Sequence, residues 1–194
     1  MADHYYTENP SSAHEEWQIE ATILGSALRF TTDAGVFSRD GLDRGTEVLL
    51  EALPGLHGRV LDLGCGWGAV GVALGKKYPD LEIVMTDINA RAVELARRNL
   101  AANGVHAEVC QGDGFASVEG SFDAIITNPP IRAGKAVIYG LFAEARNHLN
   151  PGGALYLVMR KQQGAPSALK YLKEIYARAE TVDRGSGFHV ICAK

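Results

Sequence analysis

A run of apolar residues that ends in a glycine-rich turn constrains the fold of this 194-residue chain most strongly. Residues 60–63 fit a buried strand, the turn reads Gly-Cys-Gly-Trp-Gly at 64–68, and a helix-compatible segment follows at 69–74. Glycines at such a turn permit positive φ and let a ligand lie against the backbone. The pattern therefore predicts a strand, a ligand-binding turn and a helix in an α/β domain.

The rest of the chain alternates between strand-like and helix-like segments. We predict further strands at 81–86, 109–111, 122–126, 154–158, 179–183 and 188–193, the last two joined by a turn at 184–187. Helices are predicted at 45–53, 90–102, 136–149 and 167–177. Residues 17–32 read as a β-hairpin with its turn at Gly25-Ser26. An open, mostly parallel sheet with helices between its strands follows from this order.

Composition bounds the class of protein. A length of 194 residues suits one domain with a sizeable core. The net charge of -4 argues against coating nucleic acid by bulk electrostatics, although it leaves room for a local basic patch. There is no apolar run of membrane-spanning length and no signal-peptide pattern. Cys65, Cys110 and Cys192 lack metal-ligand spacing, so we expect reduced thiols and no metal partner. With no membrane-spanning run and no signal-peptide pattern, we also expect a cytoplasmic protein without a membrane partner.

The sequence Asn128-Pro129-Pro130-Ile131 follows the strand predicted at 122–126. The two prolines stop that strand and fix the backbone. The side-chain carbonyl of Asn128 can accept one N–H of an amino group, and the backbone carbonyl of Pro129 can accept the other. Such a grip leaves the nitrogen lone pair directed at an electrophile. The motif therefore predicts a reaction at an amino nitrogen.

A second strand ends at Asp87, where a carboxylate can accept hydrogen bonds from both hydroxyls of a ribose. The glycine turn, this acidic strand end and the Asn-Pro-Pro-Ile motif together resemble the class I S-adenosylmethionine-dependent methyltransferases that act on amino nitrogens. The segment 33–43, with the sequence Asp-Ala-Gly-Val-Phe-Ser-Arg-Asp-Gly-Leu-Asp, narrows the resemblance to the ribosomal RNA small subunit methyltransferase C family, over residues 17–194. The best-known members carry a second, related N-terminal domain, so the chain resembles the short single-domain relatives.

The resemblance implies an architecture. We expect a Rossmann-like class I methyltransferase fold, with a mostly parallel seven-stranded sheet, an antiparallel C-terminal hairpin and helices on both faces. An N-terminal arm and β-hairpin over residues 1–44 is expected to pack on the core or to form a lid. Residues 45–194 are then the catalytic domain.

The resemblance also implies S-adenosylmethionine as the cofactor. Asp62 would fix the glycine turn and the methionine amino group, or would only cap turn amides. Asp87 would bind the ribose, unless it caps the next helix, a role that Asn89 can take. Asp113 would accept the adenine amine, or belong to a plain turn. The expected cofactor-binding residues are Asp62, Gly64, Cys65, Gly66, Asp87, Ile88, Asp113, Gly114 and Asn128.

Members of that family methylate the exocyclic N2 amine of a guanine in 16S ribosomal RNA, so we expect ribosomal RNA or the small ribosomal subunit as partner. Asn128, Pro129, Pro130 and Ile131 form the expected catalytic set, with Ile131 where relatives often have an aromatic that stacks on the base. Phe37 either covers the other side of the base or belongs to the core. The expected substrate-binding residues are Phe37, Arg39, Arg132, Lys135, Arg160 and Lys161.

Four other functions stay open at the level of sequence. A protein glutamine N-methyltransferase shares the Asn-Pro-Pro motif, because an amide nitrogen poses the same chemical problem. Methylation of a DNA amine uses the same grip. A nicotinamide-dependent oxidoreductase shares a glycine-rich turn, although Gly64, Gly66 and Gly68 lack its usual final spacing. A non-catalytic module that binds S-adenosylmethionine is the fourth.

Overall fold

A computed structural model describes residues 7–10 and 12–194 of the chain. Its strands are β1 Glu16–Ile23, β2 Ser26–Asp33, β3 Arg59–Leu63, β4 Glu82–Asp87, β5 Glu108–Gln111, β6 Phe122–Thr127, β7 Leu149–Arg160, β8 Ala179–Gly185 and β9 Phe188–Ala193. Its α-helices are α1 Arg44–Ala52, α2 Ala69–Lys77, α3 Ala90–Ala102, α4 Lys135–Ala145 and α5 Ala165–Ile175. Each predicted strand and helix is thus present, with some differences at the ends.

Seven strands form one sheet in the order β5-β4-β3-β6-β7-β9-β8. Strands β3 to β7 are parallel, while β9 runs antiparallel to both β7 and β8. The chain reverses direction across the sheet between β3 and β6, which is the edge where α/β proteins bind ligands. The expected fold class is confirmed, including the antiparallel C-terminal hairpin.

The period of two along each strand divides the apolar side chains between two cores. On β3, Val60 belongs to the core under α1, α2 and α3, whereas Leu61 and Leu63 belong to the core under α4 and α5. Helices therefore cover both faces, and the central strands read as almost continuous apolar runs because both of their faces are buried.

The N-terminal hairpin, β1 and β2, is tied to α3 by two asparagine side chains. Asn99 accepts from Thr31 N at 2.7 Å and donates to Thr31 O at 2.9 Å. Asn103 does the same at Arg29, at 3.0 and 2.7 Å. These amides occupy the free edge of β2 in place of a third strand. The hairpin is consequently packed on the core along its length.

Two turns differ from the sequence expectation by a residue or more. The first hairpin turns at Leu24-Gly25, both with positive φ, so that Ser26 already pairs with Ile23. The C-terminal hairpin turns at Ser186-Gly187, again both with positive φ, rather than over 184–187. Two-residue loops with this geometry match the twist of the paired strands, which lets the strands extend closer to the turn.

The predicted helix over 136–149 ends earlier, at Ala145, and a short 3-10 turn follows. Residues 150–153 do not simply end a helix as expected, because they lie inside β7. The register between β6 and β7 shifts there, and Asn150 donates to the Asp123 carboxylate at 3.0 Å. A bulge thus accommodates the proline and glycines at the start of the strand.

The described part of the N-terminal arm lies against the start of α3. Ala90 N donates to Glu8 O at 3.0 Å, and Arg91 Nη2 donates to Ser12 O at 2.8 Å. The remainder of that arm, residues 1–6 and 11, lies outside the described residues. No helix in the described ranges is long and apolar enough to cross a membrane, and within those ranges no group of His, Cys, Asp and Glu is suited to a metal ion.

Candidate active site

A cavity of about 360 Å³ opens at the carboxyl ends of β3, β4 and β6. Parallel strands bring these three ends to one edge of the sheet, although they are far apart in sequence. The walls come from the glycine turn, the end of β4, the loop after β5, the Asn-Pro-Pro segment and the loop before α1. All five were singled out in the sequence, and the topology brings them together.

The glycine turn is held open by the strand beside it. Gly64 N and Cys65 N both donate to Thr86 O at 2.9 Å. Gly64 and Gly66 have φ of 75° and 54°, a backbone region that L-residues seldom adopt. Both line the cavity with backbone instead of side chain. This geometry leaves room for a ligand to lie directly on the main chain.

Asp87 connects the end of β4 to that turn. Its Oδ2 accepts from Gly66 N at 2.8 Å and its Oδ1 accepts from Asn89 N at 2.9 Å. Burial raises the pKa of Asp87, and these backbone amides oppose the rise. Asn89 caps α3, accepting from Arg91 N at 2.9 Å, so the cap does not depend on Asp87. Asp87 lines the cavity and retains acceptor capacity toward it.

Asp62 is the most deeply buried acid of the site, at 3% exposure. Its Oδ2 accepts from Gly71 N, in the first turn of α2, at 3.0 Å. Burial raises the pKa of Asp62 to about 7, and the neighbouring Asp87 adds to the rise. Burial likewise raises the pKa of the Cys65 thiol well above its usual value. Asp62 both caps a helix amide and lines the cavity, so the two roles considered for it are compatible.

The loop after β5 closes the cavity on the far side of Asp87. Gly112 N donates to Asp87 O at 3.0 Å, which draws this loop against the end of β4. Asp113, Gly114 and Ile88 all line the same cavity. Gly114 has a φ of 56°, and a side chain there would press on Leu141. The three residues expected around the adenine are therefore adjacent in space.

Asn128 has its side chain fixed by two acceptors from the start of α1. Its Nδ2 lies 3.1 Å from Asp43 Oδ2 and 3.0 Å from Thr46 Oγ1. A reversed amide would place its carbonyl oxygen against the Asp43 carboxylate, so the contacts define the orientation. The same Asp43 oxygen caps α1 by accepting from Thr46 N at 3.1 Å. The carbonyl of Asn128 is thus the group that faces an incoming donor.

The residues after Asn128 are divided between the cavity and the core. Asn128 and Pro130 line the cavity, whereas Pro129, between them in the chain, is buried and is not among the lining residues. Ile131 begins a short 3-10 turn and packs against the core under α4 and α5, not among the cavity-lining residues. The apolar wall expected from Ile131 is supplied by Ala133 and Val137.

The segment 35–43 lies over the cavity, and two hydrogen bonds hold it there. Asn89 Nδ2 donates to Gly35 O at 2.9 Å, and Trp67 Nε1 donates to Phe37 O at 3.0 Å. Trp67 packs edge-on against Phe30 at 4.9 Å between ring centroids, so its indole is itself fixed. The Phe37 side chain is 38% exposed and lines the cavity. An exposed aromatic at this position favours the base-covering role over the core role.

None of the expected cationic residues lines the cavity. Arg39 lies 4.8 Å from the Trp17 ring and 3.4 Å from Asp40, and Lys135 lies 5.0 Å from the Tyr139 ring. Arg160, with Lys161 next in the chain, stacks on Phe188 at 4.6 Å. Arg132 is exposed between the cavity-lining Pro130 and Ala133.

Sequence analysis missed two residues that shape this site and left a third without a role. Asp43 ends the specific segment 33–43, but nothing in its sequence context shows that it contacts Asn128, 85 residues away. Thr46 looked like an ordinary helix residue. Trp67 was given no role, whereas its indole N–H donates to the backbone carbonyl of Phe37. All three contacts join distant parts of the chain, which a motif does not reveal.

A glycine turn, an acidic strand end and an oriented Asn-Pro-Pro on this sheet define a class I methyltransferase site. The chain belongs to the methyltransferase small domain family, whose model matches residues 27–192. It is 38% identical to the uncharacterized protein YbxB of Bacillus subtilis, over 100% of this chain and 99% of that protein. The expected class and S-adenosylmethionine as its cofactor are confirmed.

Two further relatives are larger than this chain. It is 38% identical to ribosomal RNA small subunit methyltransferase C of Aeromonas hydrophila, over 82% of this chain and 47% of that protein. Among solved structures, it is similar to the T. thermophilus 16S rRNA N2 G1207 methyltransferase (RsmC) in complex with AdoMet and guanosine. That match has a TM-score of 0.81 and 28% identity, over 95% of this chain and 52% of the other. The chain spans about half the length of these relatives.

Proposed function

We propose that this chain transfers the methyl group of S-adenosylmethionine to the exocyclic N2 amine of a guanine in 16S ribosomal RNA. The observation that carries the proposal is the orientation of Asn128. Its amide nitrogen is committed to Asp43 and Thr46, so its carbonyl is presented to an amino group. The relatives named as ribosomal RNA methyltransferases, one of them solved with guanosine, support RNA and guanine as the substrate.

Bound S-adenosylmethionine supplies a methyl group that is already activated by a positively charged sulfur. Asp87 would hold the ribose hydroxyls, because its carboxylate lies at the strand end and faces the cavity. Asp113 would accept the adenine amine, and Asp62 would face the methionine amino group. Gly64 and Gly66 provide the open backbone on which that end of the cofactor rests.

The guanine amine is a weak nucleophile because its lone pair is conjugated with the ring. The Asn128 carbonyl would accept one of its N–H groups and the Pro129 backbone carbonyl the other, which favours a tetrahedral nitrogen. The lone pair then forms the new N–C bond while the electron pair of the C–S bond stays on sulfur. The surplus proton on nitrogen leaves to water afterwards. The main contribution of the protein is therefore orientation.

The target base would lie between Phe37 on one side and the wall of Ala133 and Val137 on the other. Val137 is 48% exposed and Phe37 38%, and both line the cavity, so each presents apolar surface that a base can cover. A base inside a duplex does not reach such a cavity. The target is therefore single-stranded or flipped out of its helix.

The cations around the cavity would contact the RNA backbone. Arg39 precedes α1, Arg132 and Lys135 follow β6, and Arg160 and Lys161 stand at the end of β7. The ends of β6 and β7 lie at the ligand-binding edge of the sheet. The pKa of His189, beside them on β9, is lowered by burial and further by Arg184 and Lys161, which indicates a positive local potential. A net charge of -4 thus coexists with a basic rim.

The test is methyl transfer from radiolabelled S-adenosylmethionine to naked 16S RNA, isolated small subunits and total protein, followed by nucleoside analysis. We expect the label in N2-methylguanosine. Label in protein would instead indicate glutamine methylation. Tight cofactor binding with no transfer to any acceptor would indicate a non-catalytic binder.

A further inference from the structure

The contacts that orient Asn128 use only one of the two carboxylate oxygens of Asp43 and give the other oxygen no role. Asp43 Oδ2 accepts from both Thr46 N and Asn128 Nδ2. Its Oδ1 accepts no hydrogen bond from the described residues, and none of their Lys or Arg side chains forms an ion pair with it. Asp43 is half-buried and lines the cavity. Asp43 therefore brings to the cavity a carboxylate that is bonded to the Asn128 amide through one oxygen and keeps acceptor capacity on the other.

The hydrogen-bonding groups beside the amine differ among the bases, and this difference indicates a role for that oxygen. In guanine, the amine at C2 lies beside N1–H, a second donor. In adenine the amine lies beside the N1 lone pair, and in cytosine beside the N3 lone pair, both acceptors. A carboxylate beside the carbonyl that binds the amine accepts a hydrogen bond from N1–H of guanine. The same carboxylate repels the ring-nitrogen lone pair of adenine or cytosine. The two acceptors of this site match the guanine edge.

We propose that Asp43 accepts the N1–H of the target nucleobase and thereby selects guanine over other amine-bearing bases. The inference rests on the proposed function, because it assigns the base-selecting residue of that same site. Asp43 would contact the substrate directly while also orienting Asn128. A site built around a hydrogen bond rejects an analogue that lacks the donor strongly, since a buried acceptor is then left unpaired.

Asp43→Asn separates the two roles. An asparagine caps a helix as well as an aspartate, so α1 is expected to persist. Its single carbonyl oxygen can still accept from Thr46 N and Asn128 Nδ2. Its amide group would then stand where Oδ1 stood and would present a donor to the N1–H of guanine. The variant therefore keeps the hydrogen bond that orients Asn128. It replaces the acceptor that would face N1–H of guanine with a donor.

Two further variants act as references. Thr46→Val removes one of the two acceptors that hold Asn128 and leaves both Asp43 oxygens in place. It tests positioning alone. Glu174→Gln removes one negative charge at an exposed carboxylate of α5 that does not line the cavity. It tests the effect of net charge alone.

The acceptors are two RNAs that differ at one position, the target guanine, which is first located by nuclease fragmentation and mass spectrometry of the methylated 16S RNA. One carries guanine there, and the other carries 2-aminopurine, which keeps the amine at C2 but has a lone pair at N1. We expect the wild type to methylate guanine at least about 100-fold faster than 2-aminopurine under single-turnover conditions. Asp43→Asn should lose about 100-fold on guanine and little on 2-aminopurine, so that the ratio collapses.

Thr46→Val should slow both reactions by the same factor, and Glu174→Gln should change neither. The inference is overturned if Asp43→Asn slows both reactions equally, since that result shows only positioning of Asn128. It is also overturned if Asp43→Asn methylates guanine at the wild-type rate. Isothermal titration with S-adenosylmethionine verifies that each variant retains its fold. Failure of the proposed function is a separate result, because the wild type would then yield no N2-methylguanosine at all.

Discussion

Asn128 shows how a single side chain acquires a chemical direction from its neighbours. A free asparagine amide can present either its oxygen or its nitrogen to a ligand. Here Asp43 and Thr46 accept from the nitrogen, at 3.1 and 3.0 Å. The oxygen is thereby presented without a loss of side-chain entropy when the substrate binds. At this scale, function depends on the residues that orient the reactive one.

Asn128→Ala should abolish this presentation while leaving the cofactor end of the cavity intact. We expect kcat to fall by at least about 100-fold, the range seen when an oriented polar group is removed from a reacting centre. Cofactor affinity, measured by isothermal titration, should change little. The matched control is Asn147→Ala, at an exposed asparagine in the 3-10 turn after α4. Equal loss of activity in both variants would contradict the role of Asn128.

Asp62 makes the stability of the protein depend on pH in a direction that can be stated. Its pKa is raised from 3.8 to about 7 by burial. The folded protein therefore keeps a proton that the unfolded chain releases between those values. The stabilisation is complete below about pH 4 and is lost as the pH rises through 7.

Asp62→Asn removes this titration while retaining an oxygen for Gly71 N. Between about pH 5.5 and about pH 8, the unfolding free energy of the wild type should fall by about 2 kcal/mol relative to the variant. Urea titrations of both proteins measure the difference. The pKa of His189 is lowered, which acts in the opposite direction, but it titrates in both proteins and cancels. Parallel pH curves would show that Asp62 is ionised in the folded state.

At the level of elements, the hairpin of β1 and β2 depends on α3 for the hydrogen bonds of its open edge. Asn99 is 1% exposed and bonds Thr31 N, Thr31 O and Trp67 O, the last at 2.7 Å. Because Trp67 in turn donates to Phe37 O, the Asn99 amide links the hairpin to the segment 35–43 that lies over the cavity. The N-terminal hairpin is therefore a structural support of the site.

Asn99→Ala should cost about 3 kcal/mol of unfolding free energy, because one buried and two part-buried backbone groups lose their partner. Asn103→Ala is the matched comparison, since it bonds Arg29 in the same way where water has access. It should cost only about 1 kcal/mol. Urea unfolding measures both values. An equal, small cost would mean that water replaces Asn99 and that the hairpin is held by apolar packing alone.

The elements show which parts of this fold a sequence discloses. Strands buried on both faces and helices with one apolar face give strong periodic signals, so β3, β4, β6 and α3 were predicted within a residue or two. The start of β7 was not, because residues 150–153 form a bulge whose turn residues conceal the strand. Motifs located the cavity, but pairs such as Asp43 and Asn128 meet only through the tertiary fold.

At the scale of the whole molecule, a negative net charge has to be reconciled with the proposed binding of RNA. The net charge is -4, so attraction to RNA would have to come from a local cluster of cations such as the proposed rim. The chain spans about half the length of its methyltransferase C relatives. Under the proposed function, the affinity of this chain for RNA would depend on that rim, since counterion release from phosphate contacts dominates such binding.

Replacing both Arg160 and Lys161 by alanine should weaken binding to 16S RNA by about 10-fold at moderate salt. The salt slope, log Kd against log salt, should fall by up to about 2, one for each lost phosphate contact. The control is the double replacement of Lys170 and Lys173 by alanine, which removes two exposed charges from α5. Fluorescence anisotropy at several salt concentrations gives both quantities. If the two double variants bind equally weakly, attraction is diffuse over the surface, and the rim gives the RNA no preferred path to the cavity.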